Sequence, residues 1–240
     1  LIDLENAQKE FLKYVSNFDN SEYNIDLKKH HSIRVMELSK EIADTIFEDK
    51  EKIELATLIG LLHDIARFEQ YTRYKTFKDN ESIDHGDYGV EILKKDNYIR
   101  NYIKTEKYDH VIFTAIKNHN KFEIEKGISN EELMYTKIVR DADKLDIFYE
   151  GVTMFWKNIN ESEKEILESE TLSPDVEKAI YSGNQLKREK GKKYNKIDTM
   201  LSIIAFIYDI NNKKSFKILQ ENDYINELIG QFNFKDQKTK

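Results

Sequence analysis

At 240 residues the chain is long enough to bury a substantial core, as one large domain or two small ones. Hydrophobic residues at 39% and charged residues at 35%, with only 8 Gly and 1 Pro, favour long helices with charged outer faces over a turn-rich sheet protein. A net charge of -7 has the wrong sign for gripping phosphate backbones, so nucleic acid is not an expected partner; without cysteine, any metal site must be built from nitrogen and oxygen.

The opening LIDLENAQKEFLKYV lacks the basic-then-apolar layout of a signal peptide, and no run of about 18 apolar residues occurs, so a cytoplasmic protein without membrane contact is expected. Phe11, Leu12, Val15 and Phe18 predict a short packing helix. Val35, Leu38, Ile42 and Ile46 line one stripe of a helix over roughly 30–48, and His31 lies on the same stripe. Residues 53–66, IELATLIGLLHDIA, are apolar on nearly every side and predict a central helix ending near His63 and Asp64. Residues 68–83 show no clean period and read as a long loop or broken helix.

Asp84 suits the N-cap of a helix running to about Lys95, with His85, Gly89 and Ile92 on one face. Tyr108, Ile112, Ala115 and Ile116 form the next stripe, which ends at His119; Met134, Ile138, Asp141, Leu145 and Phe148 form another over 131–149. Farther on come the core aromatics Phe155 and Trp156, a solvated charged face at 161–170 and a helix start at Ser173-Pro174. A second buried helix is expected over 197–210, and the tail QFNFKDQKTK is expected to fray. No Gly-, Pro- or Ser-rich linker divides the chain. The fold class is all-α, with one helical domain over 1–240 as the simplest account: a ligand-bearing core at about 28–150 and a C-terminal helical extension at about 150–232.

Six groups that bind metal readily, His31, His63, Asp64, His85, His119 and Asp141, fall at inward-turning registers of these helices. A buried imidazole or carboxylate needs a partner, and several pointing at one interior imply a shared one, a metal ion or two. Taken singly, each is more readily a hydrogen-bonded core residue, so the ensemble carries the argument.

That ordered set, with the strings HSIRV at 31–35, HDIARFEQ at 63–70 and RDADKLD at 140–146, resembles the HD-domain superfamily of metal-dependent phosphohydrolases over approximately residues 28–150. The resemblance implies a helical bundle in which His31, His63, Asp64 and Asp141 are the principal ligands. It matches His85 and His119 to the additional histidines of members that hold two metals, with Asp64 as the bridge. The cofactor is then one or two divalent ions, with iron, manganese, zinc and nickel all compatible with imidazole and carboxylate. Some family patterns are missing: HDxxED of alarmone hydrolases, the Gly-Tyr-Pro element of cyclic-dinucleotide phosphodiesterases and the proline-rich continuation of deoxynucleoside triphosphatases.

The implied function is hydrolysis of a phosphate ester or anhydride in a small nucleotide or phosphorylated metabolite. Lys144, after Asp141, and Arg67, after His63-Asp64, are the candidates to act with Asp64 on the phosphoryl group; ion pairs with Asp143, Asp146 or Glu69 are the plainer reading of the two cations. Arg34 is a further candidate cation, and Tyr71, Arg73, Tyr74, Lys75 and Phe77 could close over a substrate or simply pack their loop. Two alternatives share the ligand pattern: a di-iron oxygenase, and a non-catalytic nucleotide-sensing module. The oligomeric state stays open, a homodimer included.

Overall fold

A computed structural model describes residues 2–155, 158–189, 191–230 and 232–236, with Phe155 described by its backbone only. These residues are helical, with no strand among them, and no helix among them is long and apolar enough to cross a membrane. They divide into two compact units, 1–143 and 144–240, the boundary falling inside a helix. Trp156, expected in the core, lies outside the described residues.

In the first unit, α1 (Leu4–Val15) is capped by Asp3, whose side chain accepts from the Asn6 amide, and buries Ala7, Phe11, Tyr14 and Val15. Leu12, expected inward, is on the outer side and 41% exposed. Phe11 meets Phe68 edge-on at 5.8 Å between ring centroids, an arrangement that aromatic quadrupoles favour. Helix α2 (Tyr23–Ala43) starts well before residue 30, and its inward face is Ile25, Leu27, His31, Ser32, Val35, Ser39 and Ile42. Leu38 is only half-buried, and Ile46 lies beyond the helix end.

Helix α3 (Lys50–Leu62) touches α1 and α2, and its residues 55–62 are all buried, which makes it the central helix. Each fully buried Leu or Ile here contributes about 1.5–3 kcal/mol over exposure. Its pairing with α2 depends on Gly60: a Cβ there would lie 2.8 Å from the Val35 carbonyl oxygen and 2.5 Å from Ser39 Oγ. After His63 the chain makes one turn and enters α4 (Arg67–Tyr74), which ends at Lys75 in the left-handed region. The segment expected as loop or broken helix therefore begins as a helix and becomes irregular only after residue 75.

Asp84 caps α5 (His85–Lys94) by accepting from the Gly86 and Asp87 amides. Helix α6 (Asp109–Asn118) packs on α5 and α3. Helix α7 (Asn130–Glu150) opens with a reciprocal cap, in which the Ser129 amide donates to Glu132 Oε2 at 2.7 Å and the Glu132 amide donates to Ser129 Oγ at 3.2 Å. Glu132 also accepts from Thr114, so the cap ties α7 to α6.

The second unit contains α8 (Glu161–Ser169), α9 (Pro174–Tyr181), α10 (Lys196–Ile204), α11 (Lys213–Glu221) and α12 (Tyr224–Gly230). Pro174 occupies the first turn of α9 as expected, where its missing N–H costs nothing. Buried Asp198 accepts from the Ser173 amide and hydroxyl, joining the start of α9 to α10. The tail corrects its expectation: Phe232 and Phe234 pack with Leu167, Ile197 and Met200, and the Lys235 amide donates to the Glu168 carbonyl. Two aromatic side chains outweigh the polar residues between them, and residues 237–240 lie outside the described part.

Two stability predictions follow from these contacts. Gly60→Ala should destabilise the chain by about 1–3 kcal/mol, because backbone as well as a side chain must yield, with thermal unfolding as the readout. Glu132→Ala should cost about 1–2 kcal/mol in a urea titration through loss of the cap, while Glu131→Ala, one residue away and exposed, should change little.

Candidate metal centre

The first unit gathers five of the six sequence candidates at one place. His31 comes from α2; His63 and Asp64 follow α3; His85 opens α5; and His119 follows α6. All five are buried, none more than 4% exposed. His31 Nε2 and His63 Nε2 lie 3.2 Å apart, and His85 Nε2 and His119 Nε2 lie 3.0 Å apart. Asp64 stands between the pairs: Oδ2 is 3.4 and 3.6 Å from the first two nitrogens, and Oδ1 is 3.4 and 3.5 Å from the second two.

The outer nitrogens explain what those inner contacts require. His63 Nδ1 is 2.8 Å from the Gly60 carbonyl oxygen, His119 Nδ1 is 2.7 Å from that of Ile116, and His85 Nδ1 is 2.6 Å from Asp79 Oδ2. Each Nδ1 faces an acceptor and so carries the proton, which leaves each Nε2 as a bare lone pair. With both rings neutral, the Nε2 lone pairs of His85 and His119 oppose each other at 3.0 Å. A shared cation resolves that contact, and the donor set fits a divalent metal: neutral imidazoles and ionised carboxylates with outer nitrogens already oriented.

Protonation states agree with this reading. Burial is the largest influence on His63 and lowers its basicity against the pull of Asp64. Burial and then the Arg67 charge bring His85 down to about 4, although Asp79 opposes them. Burial alone would raise the Asp64 carboxyl, yet the charges of Lys28 and then Arg67 hold it well below the usual carboxylate range. Near neutral pH both histidines are therefore uncharged and the aspartate ionised, so an arriving cation displaces no proton from them.

The sixth candidate is corrected. Asp143, not Asp141, lies beside the first pair, with Oδ1 at 3.2 Å from His31 Nε2 and 3.7 Å from His63 Nε2. Asp141 belongs to none of the donor groups among the described residues. Two positions on a helix are about 200° apart, so the two aspartates of α7 face opposite ways. Residues 138–142 are all buried, and an apolar period cannot choose between faces of a helix buried all round.

The other candidates are placed as follows. Arg67 lies at the centre's edge, its Nε 3.4 Å from Asp64 Oδ1, but its Nη1 faces Gln70 Oε1, the Phe77 carbonyl and Asp79 Oδ1 at 2.7, 2.6 and 3.2 Å. It therefore clamps the segment after α4, and buried Gln70 assists by donating to Asp79, Ser82 and Ile83. Lys144 belongs to the second unit, where its ammonium is 2.9 Å from Asp209. Arg34 is half-buried on α2. Tyr71 accepts from Asn24 and lies against Phe77 at 5.0 Å between centroids; Tyr74 is 44% exposed, and Arg73 pairs with Glu69.

Sequence reasoning missed three further residues of the centre. Asp79 orients His85 and is itself held by Arg67, Gln70 and Asn120, but it lies in a stretch without period. Arg140, buried on α7, donates to the carbonyls of Asn118, His119 and Lys121 and so fixes the chain around His119. Lys28 places its ammonium 2.8 Å from Asp64 Oδ2. It lies three residues before His31 on the same helical face, a signal that was present once α2 is seen to start at Tyr23.

Comparison with curated proteins and with solved structures gives no match. Residues 29–147, however, match the family model described as HD domain, a span that holds all six residues brought together at the centre, from His31 to Asp143. The all-α fold and the order of these residues agree with that match, and the chain belongs to the HD-domain superfamily.

Proposed function

We propose that the chain is a divalent-metal-dependent hydrolase that cleaves a phosphate ester or anhydride of a small nucleotide or phosphorylated metabolite. The observation that carries this reading is the opposed pair of Nε2 lone pairs at His85 and His119, beside a second histidine pair and bridged by both oxygens of Asp64. In this reading His31, His63, Asp64 and Asp143 hold one ion, and Asp64, His85 and His119 hold a second. A divalent ion bound there supplies Lewis acidity toward phosphate oxygens and acidifies nearby water.

The chain's own residues prepare that chemistry. Asp79, Gly60 and Ile116 fix three imidazoles in the tautomer that presents Nε2. Asp64 and Asp143 supply two negative charges, fewer than two divalent ions carry, so a loaded site retains attraction for an anion. Lys28 and Arg67 add positive charge at its edge, which favours a phosphate over a neutral substrate. Arg67 acts in this reading as a positioning residue, since its Nη1 is engaged by the loop it clamps.

The test starts with elemental analysis of protein purified without added metal, followed by phosphatase and phosphodiesterase screens with the identified ion. Release of phosphate with manganese or zinc, without oxygen uptake, separates hydrolysis from di-iron oxygenation. Asp64→Ala should lose bound metal and turnover together; full activity in a metal-free Asp64→Ala preparation would overturn the assignment. Asp79→Ala should weaken metal binding by about 10- to 100-fold without unfolding the chain, as read by calorimetric titration.

A further inference from the structure

We propose that Lys28 is the residue that receives the substrate's phosphoryl group, exchanging its hold on Asp64 for a non-bridging phosphate oxygen; the choice of ligand rests on the phosphate chemistry proposed above. Three observations converge on it. Its ammonium donates to Asp64 Oδ2 at 2.8 Å, and that ammonium has no other hydrogen bond to protein among the described residues. An ammonium has three N–H donors, so two are left over. Its side chain is 14% exposed, so Lys28 stands at the edge of the buried centre and not sealed within it.

Position supports the same role. Asn24, Lys28 and His31 follow one another along one face of α2, a polar line that ends at the centre. The ammonium lies 5.7 Å from the centroid of Phe77, whose ring shields it from bulk water on one side. A charge-assisted hydrogen bond formed in such a sheltered place is stronger than one in open solvent. The other cation at this edge is held in place: Arg67 Nη1 faces three acceptors and the ring contact with Phe77, 5.5 Å to the centroid, belongs to the same clamp, so the guanidinium cannot swing toward an anion without releasing the loop, even though its Nε has no hydrogen-bond partner. Lys28, on a flexible stem with a single anchoring partner, is the cation able to move toward an incoming anion.

The plainer role would have Lys28 only neutralise Asp64 and keep it in place. The two roles predict different measurements. Metal-loaded full-length protein, as wild type, Lys28→Arg, Lys28→Gln and Lys28→Met, is titrated calorimetrically with inorganic phosphate, with metal content measured for each. Kinetics on p-nitrophenyl phosphate supply KM and kcat separately. The expected result is unchanged metal content, phosphate affinity lower by about 10- to 100-fold in the Gln and Met variants, the range for a lost charge-assisted hydrogen bond, and substantial recovery in the Arg variant. KM should move more than kcat.

Phosphate affinity equal to wild type in the Gln and Met variants would refute the proposal, as would loss of metal in step with loss of phosphate binding. Failure of the loaded wild type to bind phosphate would also refute it. Lys28-dependent phosphate binding without turnover of any ester would support Lys28 as the anion-holding residue while removing the hydrolase reading.

Discussion

The centre of this protein is organised by an electrostatic conflict. Histidine lone pairs are brought together in a dry interior, 3.0 Å apart at the His85–His119 pair, while their outer nitrogens are committed to fixed acceptors. Neutral imidazoles so arranged repel unless a cation lies between them, and burial keeps protons from being the easy remedy. The fold supplies the strength to maintain the arrangement, because each ring is oriented by a carbonyl at a helix end or by a carboxylate that is itself anchored.

Asp64 is the point where those demands meet. Its two oxygens face different histidine pairs, and its charge is balanced from outside by Lys28 and Arg67. The carboxylate thereby remains ionised despite burial. Around it the supporting contacts form a second layer: Arg67 and Gln70 pin the segment carrying Asp79, Asp79 turns His85, and Arg140 holds the carbonyls around His119. Arg140, through the backbone around His119, thus shares responsibility for where that ring stands.

The helical frame explains why so many elements can contribute to one point. Helix α3 is buried along its length, with Gly60 letting α2 approach closely, and His63 and Asp64 emerge where that helix ends. Helix ends free the backbone carbonyls that orient the rings, so His63 and His119 each find an acceptor three residues back. The second unit has its own apolar core around Leu167, Met200 and Phe232 and its own ion pair, Lys144 with Asp209.

Much of this was legible in the chain. Local pattern placed the central helix, the Asp84 cap and the Pro174 start, and four histidines with Asp64 at inward registers named five of the gathered residues, because burial makes the period of a helix visible in its side chains. Where burial surrounds a helix, period loses its meaning: on α7 it could not separate Asp141 from Asp143, and only the packing of α7 against its neighbours decided which carboxylate meets His31. Asp79 lies in a segment without period, Lys28 lay outside the expected helix, and the Phe232 and Phe234 anchors follow from contacts between residues distant in sequence. Composition and local pattern determined the helices and the kinds of ligand; three-dimensional packing alone determined which of them face one another, since that depends on distances between elements that no local pattern encodes.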